Sequence, residues 1–147
     1  MYKHILIPTD GSRLSTRAVV RGIALARATG ARVTGLFVAP AATPIVYKHF
    51  LPVGYLSPDE HAEMITKAGA HHLAAVQKAA AKAGVPCDCL TVTGDFPAEA
   101  IVAAAKRLKC DLIFMASHSR SGLPALLLGS ETRKVLHESK IPVLVFR

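Results

Sequence analysis

Two short polar segments are the parts of this sequence best suited to chemistry. Residues Pro8 to Ser12 and Ala116 to Gly122 each follow an apolar stretch of strand length, and both are rich in small and hydroxyl-bearing residues. Hydroxyl groups and closely spaced backbone N–H groups are donors that proteins use to hold phosphate oxygens. The first segment also carries Asp10, a carboxylate that can bind a ribose hydroxyl or a magnesium ion. These residue types indicate a phosphorylated ligand.

A third segment, Gly129 and Ser130, has the composition of a helix start. Ser130 is predicted to cap a helix whose first N–H groups carry a positive partial charge, and Gly129 allows an anion to approach the backbone closely. Taken alone, this pair favours an ordinary helix start with no ligand. The pair supports a ligand site only if the fold brings it to the two polar segments.

The elements that must position these segments follow from the alternation of apolar stretches with longer helical patterns, which is typical of repeated βαβ units. Each stretch is apolar on successive residues, so we expect a parallel sheet with helices on both faces. The predicted strands are Tyr2 to Pro8, Arg32 to Val38, Cys87 to Thr93, Asp111 to Ala116 and Pro142 to Phe146.

Four helices fill the gaps between these strands. Capping signals bound the first two, with serines Ser12 and Ser57 at the N-caps and glycines Gly30 and Gly84 as left-handed ends. The predicted helices are Ser12 to Ala28, Ser57 to Gly84, Pro97 to Leu108 and Gly129 to Glu138.

The fold class is therefore α/β, a doubly wound, Rossmann-like arrangement of five mostly parallel strands. Numbered along the chain, the predicted strands lie in the order 3-2-1-4-5 in one domain of 147 residues. In such a sheet the ligand crevice lies where the strand order reverses, outside the carboxyl ends of the first and fourth strands. The two polar segments follow directly after those ends.

One connection, Ala39 to Leu56, is unusually long and contains three prolines and several aromatic residues. Loops of this length are uncommon and are often functional. Its aromatic side chains can simply cover the end of the sheet, or the segment can act as a lid or partner surface. The sequence supports both interpretations equally.

Bulk properties narrow the class of protein. The formal charge of +8 comes from basic residues scattered over several helices without interleaved aromatic residues, which does not favour a nucleic-acid-binding protein. No apolar run reaches the roughly 18 to 20 residues of a membrane span, and no export signal is recognisable. We therefore expect a cytoplasmic protein.

The three cysteines are expected to be reduced. Cys87 and Cys89 lie on one predicted strand, where we expect their thiols to point to opposite faces, and a bridge between them would be strained. The pair His71 and His72 is expected to face different sides of its helix and to make a poor metal site.

Together the segments resemble the universal stress protein family over nearly the whole chain. The resemblance is carried by Lys3 to Ser12, Val33 to Val38, Cys110 to Met115, Arg120 to Ser130 and Ile141 to Val145. Nucleotide-binding members of that family are similar in having a glycine, two residues, a second glycine, nine residues, and then glycine with serine or threonine. Here that spacing falls on Ala116, Ser119, Gly129 and Ser130.

The resemblance implies an ATP site, with Mg²⁺ as a possible companion ion held by Asp10. It places Asp10 at the ribose, Val38 at the adenine, and the phosphates between Met115 to Ser119 and Gly129 with Ser130. The nucleotide-binding residues that it implies are Pro8, Thr9, Asp10, Val38, Met115, Ala116, His118, Ser119, Arg120, Gly129, Ser130 and Val143.

Three functions stay open at this point. The first is a stress-response regulatory module that binds ATP and dimerises. The second is an interaction module of the same fold that binds no nucleotide, because Ala116 and Ser119 replace two motif glycines. The third is a slow ATPase, which has the least support because Asp10 is the only evident candidate for an acid, base or metal ligand.

The final strand predicts a homodimer. Its residues Val143 to Phe146 carry no charge, and the order 3-2-1-4-5 puts them at a sheet edge, where unpaired backbone groups invite association. A second copy running antiparallel about a two-fold axis would cover this edge, and family members resemble this arrangement. A monomer would result if the connection Ala39 to Leu56 folded over the edge instead.

Overall fold

The computed structural model describes residues 1–41, 45–48, 51–55, 57–118 and 128–147. Its strands, labelled along the chain, are β1 (His4–Pro8), β2 (Arg32–Ala39), β3 (Ile45–Lys48), β4 (Leu51–Tyr55), β5 (Cys87–Thr93), β6 (Leu112–Ala116) and β7 (Val143–Phe146). Its helices are α1 (Arg13–Thr29), α2 (Pro58–Ala83), α3 (Pro97–Arg107) and α4 (Ser130–Glu138).

Five of the strands form one parallel sheet in the order β5-β2-β1-β6-β7. Counted among the five strands predicted from sequence, this is the order 3-2-1-4-5, so the doubly wound topology is confirmed. The order reverses between β1 and β6, which places the carboxyl ends of these two strands side by side.

The core has two layers because both faces of the sheet are covered. On β1, Ile5 and Ile7 pack in the layer beneath α1 and α2, whereas the intervening Leu6 packs in the layer beneath α3 and α4. All three side chains are fully buried. This arrangement explains why the strands are apolar on successive residues rather than on alternate ones.

The predicted helix signals of α1 and α2 are confirmed. Ser12 and Ser57 are N-caps, and Ser57 forms a reciprocal capping box with Glu60. Gly30 and Gly84 end these helices with φ angles of 70° and 68°, in the left-handed region that glycine adopts at little cost. None of the helices in these described ranges is long and apolar enough to cross a membrane.

The connection Ala39 to Leu56 contains regular structure that the sequence analysis missed. Strands β3 and β4 pair antiparallel, with a register shift between Val46 and Tyr47. Short strands of four and five residues, the second containing Pro52, give too little alternation to be recognised from sequence. Whether this hairpin acts as a lid or as a cover stays a prediction.

The prediction that Cys87 and Cys89 point to opposite faces is wrong. Residues two apart on a strand share a face, and both thiols pack in the layer beneath α1 and α2. All three cysteines are free, and Cys110 is buried.

A buried histidine lies at the opposite end of β1 from the polar segments. His4 places its Nε2 2.8 Å from the hydroxyl of Thr34, while its Nδ1 is buried with no hydrogen-bond partner among the described atoms. Burial lowers the pKa of His4, and the positive charge of Arg32 lowers it further, against the weaker opposing effects of the Leu108 backbone, Asp111 and Asp88.

This lowered pKa predicts a stability that falls on mild acidification. The folded chain takes up the proton of His4 less readily than the unfolded chain, so the neutral imidazole favours folding above its ordinary pKa of 6.5. We expect the free energy of unfolding, measured with urea, to drop between about pH 7.5 and about pH 5.5. His4→Gln should reduce that drop, and His137→Gln, on the exposed end of α4, should leave it unchanged. Equal pH slopes for native protein and His4→Gln would contradict the assignment.

Candidate functional site

A cleft of about 360 Å³ opens at the carboxyl ends of β1 and β6, within the size range of small-molecule sites. Nine residues proposed from sequence line it: Pro8, Thr9, Asp10, Val38, Met115, Ala116, His118, Gly129 and Ser130. Ser119 and Arg120 lie outside the described residues. Val143 does not line the cleft, because it pairs with Ile113, deeper in the sheet than Met115 and Ala116.

The lining also includes residues that the sequence analysis did not single out. These are Ser15, Leu36, Pro97, Ile101, Glu131 and Thr132. The start of α3 forms one wall, so Pro97 and Ile101 reach the cleft although they lie far along the chain from both polar segments. Only the position of Pro97 at a helix start could have suggested this, and it suggested nothing about a ligand.

Asp10 is held in place from several sides. One of its carboxylate oxygens accepts the N–H of Ser12 at 2.9 Å, and the other lies 3.1 Å from Nε2 of His118. The same histidine nitrogen is 3.1 Å from the hydroxyl of Ser12. Asp10 after β1 and His118 after β6 therefore meet across the switch point, where the two polar segments were predicted to lie.

The carboxylate of Asp10 is ionised at neutral pH. Burial alone raises the pKa of Asp10, but hydrogen bonds from Ser12 and Ser15 and the charge of His118 outweigh burial and hold that pKa below its usual value. A carboxylate in this state accepts hydrogen bonds and can bind a cation. Among the described residues no three His, Cys, Asp or Glu side chains are grouped to hold a metal. A magnesium ion at Asp10 would therefore need other ligands, which Mg²⁺ usually takes from phosphate oxygens and water.

The turn after Asp10 depends on a glycine. Gly11 has a φ of +76°, a left-handed conformation that side chains disfavour. The imidazole ring of His72 on α2 lies directly against Gly11, where a Cβ atom would collide with it. The same ring also packs against Phe37 on β2, with 5.0 Å between the two ring centroids. The loop that carries Asp10 is thus held by the middle of α2.

The opposite wall of the cleft begins at Gly129, and here a prediction needs correction. Gly129, not Ser130, is the N-cap of α4, and no side chain of the described residues caps this helix. The N–H of Gly129 donates to the hydroxyl of Ser117 at 3.1 Å, and a Cβ on Gly129 would lie 2.5 Å from the carbonyl oxygen of His118. This close approach to the β6 turn requires glycine at position 129 and places Ser130 inside the helix.

The N-terminal start of α4 gives this wall a positive partial charge. Ser130, Glu131 and Thr132 all line the cleft in the first turn, where helix N–H groups are free of intrahelical partners. The carboxylate of Glu131 instead accepts the N–H of Ala98 at 3.0 Å and so joins α4 to the start of α3. An anion at this end of the cleft meets backbone donors, with the Glu131 charge directed toward α3.

The cleft therefore combines an apolar interior with polar ends. Leu36, Val38, Ile101 and Met115 offer an apolar surface, while Asp10 and the start of α4 offer a carboxylate and backbone N–H groups. A ligand with a flat apolar part, a hydroxyl-bearing part and an anionic part matches this distribution.

Comparisons with known proteins identify the family of this chain. The model of the universal stress protein family matches residues 1–147. A universal stress protein of Methanocaldococcus jannaschii, MJ0531, is 35% identical over 147 residues, covering all of this chain and 83% of that protein.

Solved structures show the same fold. The structure of MJ0577 from Methanocaldococcus jannaschii is 30% identical with a TM-score of 0.78, covering 99% of this chain and 95% of that one. A universal stress protein in complex with cAMP is 25% identical with a TM-score of 0.69, covering 99% of this chain and 97% of that one. With the family model matched from end to end and a relative at 35% identity, this chain belongs to the universal stress protein family.

Proposed function

We propose that this chain is a cytoplasmic stress-response regulatory module that binds an adenine nucleotide, with ATP as the leading ligand, in the cleft between β1 and β6. The observation that carries the proposal is the juxtaposition of an ionised, fixed Asp10 with the glycine-led start of α4 across an apolar cleft. The cAMP complex of a family member supports an adenine nucleotide as the ligand class. Three free cysteines suit a reducing compartment.

In this proposal each part of the ligand has a partner. The apolar surface of Leu36, Val38 and Met115 receives the adenine ring, and Asp10 accepts a hydrogen bond from a ribose hydroxyl. The N–H groups at the start of α4 bind phosphate oxygens. Mg²⁺, when bound, would be shared between Asp10 and the phosphates, where it would offset their charge.

The alternative is a module that binds no nucleotide, and one observation favours it. Ala116 lies at the cleft where nucleotide-binding relatives are expected to carry glycine, and its methyl group takes space beside the phosphate position. Calorimetry with ATP, ADP and AMP on nucleotide-free protein, with and without Mg²⁺, decides between the two. No heat with any nucleotide at millimolar concentration would establish the alternative.

Asp10→Asn is expected to weaken ATP binding by about 10- to 100-fold, since a hydrogen bond to a charged group is worth roughly 1.5 to 3 kcal/mol. Asparagine is nearly isosteric and still accepts the N–H of Ser12, so the turn should keep its shape. Calorimetry measures the change, with Asp88→Asn on β5 as the control because Asp88 is exposed and does not line the cleft. Equal affinities for native protein and Asp10→Asn would remove Asp10 from the site.

We also propose a homodimer formed through β7. This strand is at the edge of the sheet, and Leu144 on it is an exposed large hydrophobic residue. An antiparallel pairing of two β7 strands about a two-fold axis would satisfy the outer backbone groups of both and cover both leucines.

A further inference from the structure

Two thiols that do not line the cleft share one face of an edge strand. Cys87 and Cys89 are separated by one residue on β5, which is the end strand of the described sheet and pairs with β2. Both belong to the layer beneath α1 and α2, whereas Asp88 between them points to the other face and is exposed. The two sulfur atoms are therefore neighbours on one surface.

The chain leaves room for these sulfur atoms. Cys89 lies opposite Gly35 on β2, and a Cβ at Gly35 would come within 3.3 Å of its sulfur and 3.0 Å of Val76 on α2. The sulfur of Cys89 lies 3.8 Å from the carbonyl oxygen of Leu73, and that of Cys87 lies 3.5 Å from the carbonyl oxygen of Asp88. Both cysteines are only partly buried, so an ion in solution can reach them.

The spacing suits a bridging ion better than a direct bond. Two residues along a strand advance about 6.6 Å, which is at the long end of the range for a disulfide. Two bonds of about 2.3 Å each, the length of a zinc–sulfur bond, span up to about 4.6 Å between sulfur atoms. An ion between the thiolates therefore demands less distortion of β5 than a disulfide does.

The surroundings also limit the kind of ion. Structural zinc takes four ligands, and the described residues hold no group of three His, Cys, Asp or Glu side chains that could approach that number. Two thiolates alone match a soft ion of low coordination number, and thiolate ligands select Cu⁺.

We propose that Cys87 and Cys89 together bind one Cu⁺ ion through both sulfur atoms. Two thiols and one Cu⁺ give one S–Cu–S unit with a single negative charge and release two protons, with no change of oxidation state. Neither cysteine lines the cleft, so the proposed copper site lies outside it.

The test is a Cu⁺ titration of the reduced native protein against a colorimetric Cu⁺ chelator under anaerobic conditions. We expect one ion per chain, and two sulfur ligands by X-ray absorption at the copper edge. Loss of a residue that only supports a metal ligand costs about 10- to 100-fold in metal affinity. Because both sulfur atoms are proposed as direct ligands, Cys87→Ser and Cys89→Ser should each weaken Cu⁺ binding by more than this. Cys110→Ala is the matched control because Cys110 is a buried cysteine outside the pair, and it should bind copper as the native protein does.

Circular dichroism on each serine variant checks that β5 still folds, since serine keeps the size of the side chain. Three results would overturn the proposal. They are no copper uptake by the native protein, copper uptake that survives when both Cys87 and Cys89 are replaced by serine, and a ratio of one ion per two chains. Zn²⁺ binding as tight as Cu⁺ binding would overturn the two-coordinate assignment.

Discussion

Gly129→Ala is expected to weaken nucleotide binding by about 10- to 100-fold, because the new methyl group would lie 2.5 Å from the backbone oxygen of His118. Backbone cannot rotate away as a side chain can, so either the start of α4 or the turn after β6 must move. Overpacking of this kind costs about 1 to 3 kcal/mol, and both segments that would move form walls of the cleft. The hydrogen bond from Gly129 to Ser117 would be strained by the same displacement.

Gly94→Ala is the matched control for this substitution. Among the described residues, a Cβ at Gly94 would meet only the Cβ of Ala100, at 3.9 Å, which is an ordinary contact. Calorimetry with ATP and urea unfolding should show native behaviour for Gly94→Ala and losses in both measurements for Gly129→Ala. Native affinity in Gly129→Ala would mean that the cleft tolerates the displacement and that α4 does not bind phosphate.

Leu144→Lys is expected to convert the proposed dimer into a monomer. The two-fold axis of an antiparallel β7 pair would pass near the middle of Val143–Phe146, so the two introduced ammonium groups would lie close together at the interface. Their burial and mutual repulsion should weaken association by more than about 100-fold, equivalent to about 3 kcal/mol. The side chain of Leu144 is 38% exposed in the single chain, so the fold itself should tolerate lysine.

Light scattering measures this change, with a native mass expected near twice 15.6 kDa. Met64→Lys is the control, because Met64 is a 54% exposed apolar residue on α2. It should leave the mass unchanged. A native mass of one chain, or a dimer that persists in Leu144→Lys, would exclude the β7 interface.

The sheet and its switch point could be predicted from sequence because local and long-range signals agree there. Successive apolar residues such as Ile5, Leu6 and Ile7 need two covering layers, and the serine and glycine caps of α1 and α2 fix the lengths between strands. Once the strand order is known, topology brings together the two polar segments, and the structure adds the contact between Asp10 and His118.

The features that sequence could not supply depend on tertiary contacts. Ser130 has the preferred residue type for an N-cap, but the close approach of Gly129 to His118 moves the start of α4 by one residue. The contact between Glu131 and Ala98 joins two helices whose separation along the chain gives no local signal. The orientation of Cys87 and Cys89, by contrast, follows from strand geometry and was predictable.

The contact between Gly11 and His72 couples the conformation of the loop after β1 to the stability of α2, although the two lie far apart along the chain. The volume at position 11 and the volume at position 72 are fixed jointly, so a larger residue at one requires a smaller residue at the other. Any ligand that holds the Asp10 loop in place must also stabilise α2, by the same free energy with which an ordered α2 favours that ligand. The stability of the middle of α2 is thereby coupled to the affinity of the cleft for its ligand, although no described residue of α2 lines the cleft.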